Sequence, residues 1–299
     1  MTLGVDVGGT FTDFVWWDGS KVRTAKASST SDQSDGVIRG ATELLGGGLL
    51  GDERTSAFLH GTTVATNALL ERRGARVALV TTAGFEDVVE IARQDRPSLY
   101  DTTVTRTEPL VDRERRFGIR RLADDETWTS EELDAVAAAV HESGAGSVAV
   151  SLLYGHAQPD REQRVADAIA SHQPGLGVSV SSVVVPEFRE YERTSTTVGN
   201  AFLAPETGSY LRNLQARSRG SGLGGEVMVM RSSGGLIPIE AAAALPAAIL
   251  LSGPAGGVVA AAAVGDAVGC ARVISFDMGG TSTDVARIAG GIPEVSYER

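Results

Sequence analysis

The sequence predicts an α/β fold in which a central mixed β-sheet is covered by helices. Three observations predict it. Short apolar runs alternate with helix-length segments along most of the chain, the first 27 residues hold three closely spaced strand runs, and one acidic, Gly-rich octad occurs twice between strand runs.

In order, Thr2 to Val7, Phe11 to Trp17 and Lys21 to Ala27 read as strands, with Asp18-Gly19 a two-residue hairpin signal between the last two. A helix follows from Asp35 to Leu45, capped by Ser34 or Asp32. Ser56 to His60 reads as a strand, Thr62 to Arg73 as a helix stopped by Gly74, and Arg76 to Thr81 as an apolar strand. Ser130 to Glu142 is a helix with Glu131 and Glu132 in its first turn, where the helix dipole favours them. Ser147 to Leu153 is a buried strand, Pro159 to Ala170 a helix opened by proline, and Val178 to Val185 another strand. Glu187 to Arg217 is mostly helical. A strand at Glu226 to Met230 and a turn at Ser232-Ser233-Gly234-Gly235 come next, then a helix from Pro254 to Val268 and strands at Arg272 to Phe276 and Ser282 to Ile288.

The chain has 299 residues, 42% apolar and 22% charged, as expected of a globular protein, and its 36 glycines point to many tight turns or ligand-hugging loops. A net charge of −11 argues against a general nucleic-acid binder. Arg113, Arg115, Arg116, Arg120 and Arg121 form a local basic cluster, readable as a solvated edge hairpin or as an interface or anion patch. The single cysteine, Cys270, excludes an internal disulfide and fits a cytoplasmic setting. No secretory signal precedes the first strand. The uncharged stretch 241–265 is cut by Pro246 and by Ser252-Gly253-Pro254, so two buried helices joined by a turn are expected instead of a membrane span.

The octads carry the chemistry. Residues 6–13 read Asp-Val-Gly-Gly-Thr-Phe-Thr-Asp and residues 277–284 read Asp-Met-Gly-Gly-Thr-Ser-Thr-Asp, identical at six of eight positions. Gly8, Gly9, Gly279 and Gly280 let the backbone bend and approach a ligand, and successive N–H groups of such a turn point at one anion. The hydroxyls of Thr10, Thr12, Thr281 and Thr283 add donors. Carboxylates beside a phosphate repel it, so Asp6 and Asp277, with Asp13 and Asp284 at the far ends of the octads, call for a cation between; Mg²⁺ held by one or two carboxylates, waters and phosphate oxygens fits. A tight hairpin with no ligand is the plain alternative for a single copy; duplication argues against it. No P-loop motif is present. Gly46, Gly48 and Gly51 match Gly-x-Gly-x-x-Gly but follow a helix, and read as a loop.

The paired hairpins resemble the two phosphate motifs of the actin, sugar kinase and heat-shock chaperone superfamily. The resemblance implies a ribonuclease H-like, actin-type ATPase domain with the opening strands of a second such domain, and ATP with Mg²⁺ as cofactors. More specifically, the chain resembles the N-terminal part of the A-type component of the hydantoinase/oxoprolinase family. That rests on Gly4 to Asp13, on His60-Gly61-Thr62-Thr63-Val64-Ala65-Thr66-Asn67-Ala68, on Glu187-Phe188-Arg189-Glu190-Tyr191-Glu192-Arg193, on Leu251-Ser252-Gly253-Pro254-Ala255-Gly256-Gly257, and on Asp277 to Val285. The family resemblance implies an ATP-dependent opening of a cyclic amide such as a hydantoin, N-methylhydantoin or 5-oxoproline, completed with a hydantoinase B-type subunit or domain. Asp6 and Asp277 are then the catalytic and metal-holding residues. A ketone carboxylase, a non-catalytic fragment, and a sugar kinase or chaperone-like ATPase are the alternatives; the His60-Gly61-Thr62-Thr63 match argues against the last.

His60, Thr62, Thr63 and Asn67 are candidate substrate contacts at a helix N-terminus, with a strand-end histidine and a buried amide as plain alternatives. Arg189 and Arg193 share a helix face and read as ion-pairing residues on a solvated or inter-domain surface; His141, His156 and His172 lack metal spacing and read as structural. By the superfamily analogy the chain divides into residues 1–186 and 187–270, forming domain I and its connecting helix, and 271–299, the start of domain II. The segment that holds adenosine is expected beyond residue 299, so the chain alone is expected to be a poor ATPase.

Overall fold

The computed structural model describes residues 1–30, 32–46, 55–101, 103–223, 225–278 and 283–294, and every count below refers to these. The strands are β1 Thr2–Val7, β2 Phe11–Trp17, β3 Val22–Ser28, β4 Ala57–Thr62, β5 Val77–Thr82, β6 Arg116–Ile119, β7 Ser147–Ser151, β8 Gly177–Val180, β9 Val227–Met230, β10 Leu236–Pro238, β11 Arg272–Met278, β12 Thr283–Ala289 and β13 Ile292–Pro293. The helices are α1 Gln33–Leu44, α2 Val64–Leu70, α3 Val88–Ile91, α4 Ser130–Glu142, α5 Pro159–His172, α6 Ser181–Val184, α7 Glu190–Gly220, α8 Ile239–Ala244 and α9 Ser252–Ala267. The chain forms two compact units. The first comprises Met1–Asn67, Ser209–Ala244 and Ala248–Arg299, and the second Ala68–Gly208 with Leu245–Ala247. The sequence divisions at 186 and 270 follow chain order, whereas the compact units interleave along it.

In the first unit a six-stranded mixed sheet has the order β10-β9-β4-β1-β2-β3. β1 pairs antiparallel with β2 and parallel with β4. The alternation of β1 and β2 puts Leu3, Val5, Val7, Phe14 and Trp16 on one buried face. α1 covers it with Val37 and Ala41. Gly40 is required there: a Cβ would lie 2.4 Å from the tip of the Phe14 ring. Of the two expected caps, Asp32 serves, accepting the Asp35 N–H at 3.0 Å, and Arg217 bridges Asp32 and Asp35. A three-stranded sheet β11-β12-β13 also belongs to this unit, with α9 packed beside it. The uncharged stretch does form two helices around a turn, α8 and α9. Contrary to expectation α9 is not buried: only its Ser252 and Gly265 are, while Val259 and Val264 are open.

In the second unit β6-β5-β7-β8 is a parallel sheet whose β5 and β7 are buried along their whole length. α4 and α5 pack on its core of Val80, Val148, Val150, Val165 and Ile169. α4 has the bounds read from the sequence, fixed by a Thr129–Glu132 capping box. Three expectations are corrected here. The run 178–185 is strand only to Val180, because the buried Glu162 carboxylate accepts the Ser181 hydroxyl at 2.6 Å and the Ser182 N–H at 2.8 Å and turns the chain into α6. The basic segment is no hairpin: β6 is a parallel edge strand, and Arg113, Arg115, Arg116 and Arg120 are each paired with carboxylates. Arg193 is not on a solvated face but fully buried, donating to the Leu152 and Glu187 carbonyls and to Ser181, and pairing with Glu190. A buried guanidinium is tolerable because its donors are satisfied this way.

Candidate functional site

The first octad lies where β1 turns into β2. Asp6 stands opposite Asp13, and Val7 opposite Thr12. The second octad repeats the register: Asp277 stands opposite Asp284 and Met278 opposite Thr283. Gly279, Gly280 and Thr281 lie outside the described residues.

In the first turn, Gly8 N–H donates to the Phe11 carbonyl at 3.0 Å, and Ser29 secures both sides, its N–H on the Thr10 carbonyl and its hydroxyl on the Gly8 carbonyl. The glycines serve close approach here, since neither has a positive φ. A Cβ on Gly8 would lie 3.0 Å from the Phe11 carbonyl oxygen, and one on Gly9 would face the Asn67 amide at 3.6 Å. Gly9 and Thr10 are exposed at the tip, whereas Thr12 is buried with its hydroxyl 3.3 Å from Ser29. Thr12 thus braces the turn from behind, while Thr283 is exposed.

Along the open face of the sheet, one cross-strand row reads Gly61, Asp6, Asp13, Lys26. Lys26 Nζ donates to both Asp13 oxygens at 2.8 Å. Gly61 leaves space for Asp6, since a Cβ there would fall 2.7 Å from its Oδ1. On the other side, the start of α9 approaches: a Cβ on Gly253 would lie 3.7 Å from Asp6 Oδ1. Asp6 still reaches solvent, but this crowding by protein atoms raises its pKa, and the like charges of Asp13 and Asp277 raise it further against the opposing pull of Lys26. Asp277 therefore acts electrostatically on Asp6, and the row plus Asp277 carries three carboxylates against one lysine. No cluster of three or more His, Cys, Asp or Glu side chains arranged to hold a metal occurs among the described residues. A hard cation sharing one or two carboxylates with waters and phosphate oxygens does not require one.

The segment after β4 braces this site. Thr63 donates its N–H and its hydroxyl to the Val7 carbonyl, at 2.9 and 3.1 Å, and Asn67 reaches the Thr63 hydroxyl at 3.3 Å. Thr62 is buried; its hydroxyl accepts the Val64 N–H at 3.1 Å, and its carbonyl accepts the Ser252 hydroxyl at 3.0 Å. Leu251 N–H donates to Thr66 at 2.9 Å. The starts of α2 and α9 are thus tied together beside Asp6. His60 lies apart from these groups. It stands opposite Val5 on the buried face, against Phe58 and 3.0 Å from the Tyr210 hydroxyl. Its Nδ1 has no partner among the described residues, and burial pulls its pKa down to about 4. This placement matches the plain alternative of a histidine filling a strand end.

Sequence reasoning missed Lys26 and Ser29, and gave no role at the site to Gly61 and Ser252, which it named within the motifs of the resemblance. Lys26 was not findable by counting: a two-residue Asp18-Gly19 turn would put Thr24 opposite Asp13, whereas the turn centres on Gly19-Ser20, with the Asp18 N–H on the Lys21 carbonyl, and that register brings Lys26 there. Ser252 meets Thr62 only through tertiary contact.

Twin antiparallel strand pairs, each with facing carboxylates and set in an α/β scaffold, are the framework of an actin-like ATPase domain. The sequence pattern of the hydantoinase/oxoprolinase N-terminal region matches residues 2–173, and that of hydantoinase/oxoprolinase matches residues 193–299. The chain belongs to the hydantoinase/oxoprolinase family. It is 34% identical to the alpha subunit of the caprolactamase of Pseudomonas jessenii, over 97% of this chain and 43% of that one. It is 29% identical to the 5-oxoprolinase of Saccharomyces cerevisiae, over 100% of this chain and 26% of that one. The nucleotide-free structure of an ATP-dependent acetone carboxylase superposes with a TM-score of 0.86 at 25% identity, covering 97% of this chain and 44% of that one. The chain spans less than half the length of these relatives. No helix among the described residues is long and apolar enough to cross a membrane.

Proposed function

We propose that this chain is the phosphate-holding part of an enzyme that uses ATP to activate and open a cyclic amide. The observation that carries the reading is the repeated register, Asp6 facing Asp13 and Asp277 facing Asp284, with the Asp6 pKa raised by crowding first and by its acidic neighbours second. A crowd of carboxylates beside an exposed Gly-Gly-Thr turn fits a divalent cation with phosphate. Asp6 and Asp277 would hold Mg²⁺, and the turn at Gly8, Gly9 and Thr10, with its counterpart at Gly279, Gly280 and Thr281, would hold the ATP phosphates. Bound ATP would supply the phosphoryl group that makes a poorly reactive amide oxygen a good leaving group. The chain's own part is positioning and charge neutralisation. Lys26 neutralises Asp13, Gly61 clears room for the Asp6 carboxylate, and Thr63 and Asn67 hold the turn from behind. The caprolactamase relative is one subunit of its enzyme, which supports a B-type partner for the later steps.

Calorimetric titration of the chain with Mg²⁺-pyrophosphate tests the phosphate site, and Mg²⁺-ATP tests the adenosine half. The expected outcome is pyrophosphate binding that Asp6→Ala and Asp277→Ala each weaken at least about tenfold, with no large further gain from ATP. In an assembly with its partner, each variant is expected to lower amide-dependent ADP formation by about 10²-fold or more. Normal binding and turnover in both variants would sink the reading. A ketone carboxylase is the second reading, favoured by the TM-score of 0.86 to acetone carboxylase, and bicarbonate-dependent turnover would select it.

A further inference from the structure

The second unit holds a cleft that the proposed reaction leaves unused. Its parallel sheet has the order β6-β5-β7-β8. The chain leaves β5 toward β6 on one side and leaves β7 toward β8 on the other, so the two crossovers diverge between β5 and β7. At such a switch point the carboxyl ends of the strands open a crevice, the place where parallel α/β sheets bind ligands. A cleft of about 90 Å³ lies there: Thr82 ends β5, and Leu153 and Tyr154 follow β7. Thr82 Oγ1 accepts the Leu153 N–H at 3.0 Å, and Tyr154 takes a positive φ of 61°, a strained bend that tends to collect at functional sites.

The far wall is cationic. Arg161 lines it and donates to the backbone carbonyls of Leu122, Ala123 and Asp124, with no carboxylate paired to it among the described residues. Arg121 lines it too. It is exposed and has no ion-pair partner among the described residues, whereas the four other arginines of its segment are all paired. Among the described residues Asp124 is the one carboxylate lining the wall, against the two guanidinium charges of Arg121 and Arg161. Gln158, also lining the cleft, is the N-cap of the 14-residue α5 and makes no side-chain capping bond; its carbonyl accepts the Arg161 N–H at 3.1 Å. Asp160 and Glu162 put two carboxylates in the first turn of α5, Glu162 accepting the Leu152 and Ser182 N–H groups and the Ser181 hydroxyl, so the positive charge of the cleft rests on the two guanidinium groups and not on the helix end.

We propose that this cleft is a binding site for one small oxyanion, a carboxylate or a phosphate, held by Arg121 and Arg161. A planar fork such as Arg121 pairs such groups through two parallel hydrogen bonds, and the volume admits a few waters or one small anion.

Trp128, which lines the cleft and donates its indole N–H to the Arg120 carbonyl, is a built-in reporter. The full chain is titrated with inorganic phosphate, with succinate and with chloride at fixed ionic strength, while tryptophan fluorescence is followed. Trp16 and Trp17 belong to the other unit, and Trp128→Phe identifies the signal from the cleft. The expected result is a saturable change with phosphate or with succinate, absent with chloride, absent in Trp128→Phe, and at least about tenfold weaker in Arg121→Gln. Whichever of the two anions saturates names the ligand class. Because Arg121 is exposed, circular dichroism is expected to show Arg121→Gln folded as wild type. A response to neither anion, one shared with chloride, or an unchanged affinity in folded Arg121→Gln overturns the proposal.

Discussion

β1–β2 and β11–β12 carry nearly the same eight residues in the same register, yet their surroundings are opposite. In the first, Leu3, Val5 and Val7 are 0, 3 and 0% exposed. Their counterparts Ile274, Phe276 and Met278 are 70, 65 and 70% exposed. The register is local: a turn and two β-prone flanks set which residues face each other. Burial is not local. β1 is covered because β4 pairs on its other edge and α1 lies over its apolar face, whereas β11–β12 has only β13 along one edge and α9 beside it. Within this chain the second octad therefore sits in a three-stranded ribbon, and a ribbon of so few strands has little stability of its own.

The sharpest way to break this comparison is to truncate equivalent apolar residues. Leu3→Ala removes a fully buried side chain and is expected to cost about 2–5 kcal/mol in urea unfolding of the chain. Ile274→Ala, at the equivalent position, is expected to change stability by less than about 0.5 kcal/mol. Equal losses would mean that the second hairpin is covered after all.

A next effect belongs to the first hairpin's covered face alone. His60 is buried there and its pKa is depressed to about 4. The unfolded chain binds this proton near the ordinary histidine pKa while the folded chain resists it, so stability is lost as pH falls from about 6.5 toward 4. The loss attributable to His60 is about 3 kcal/mol at the bottom of that window. In His60→Gln the pH dependence of urea unfolding over this range is expected to flatten. If it does not, the histidine is more hydrated than its packing against Phe58 and Tyr210 implies.

Local features were legible in the sequence. The octads, the hairpin near Asp18-Gly19 (its turn centred one residue later, on Gly19-Ser20), the helix Ser130–Glu142 and one of the two caps offered for α1 all depend on neighbours within a few residues. What was illegible depends on partners far along the chain. The strand read at 178–185 looked continuous because nothing local announces that Glu162 will capture Ser181 and Ser182. Arg193 looked like a surface residue because charge alone suggests water, and only the Leu152 and Glu187 carbonyls with Glu190 explain its burial. At the site itself, Asp6 was found from its motif. The stronger of its acidic neighbours, Asp13, lies in the same motif, but the start of α9 and the added charge of Asp277 are distant in sequence and close in space.

The smallest effect concerns the lysine that only one hairpin possesses. Lys26 spans both oxygens of Asp13, whereas Asp284 has no ion-pair partner among the described residues. Both members of the first pair are more than half exposed, so Lys26→Met is expected to cost less than about 1 kcal/mol of stability. Its electrostatic consequence should be easier to see. Lys26 pulls the Asp6 pKa down against the upward push of crowding and of Asp13 and Asp277. Removing it raises that pKa further. On the proposed function only deprotonated Asp6 binds Mg²⁺, so affinity is lost as pH falls through the Asp6 pKa, and in Lys26→Met that loss begins at a higher pH. Mg²⁺-pyrophosphate titrations across pH read the shift directly. A profile that moves upward while the melting temperature barely changes marks Lys26 as a residue that sets the charge state of the first hairpin. An unmoved profile with the same small stability loss reduces it to a surface ion pair, and the asymmetry between the hairpins is then one of packing alone.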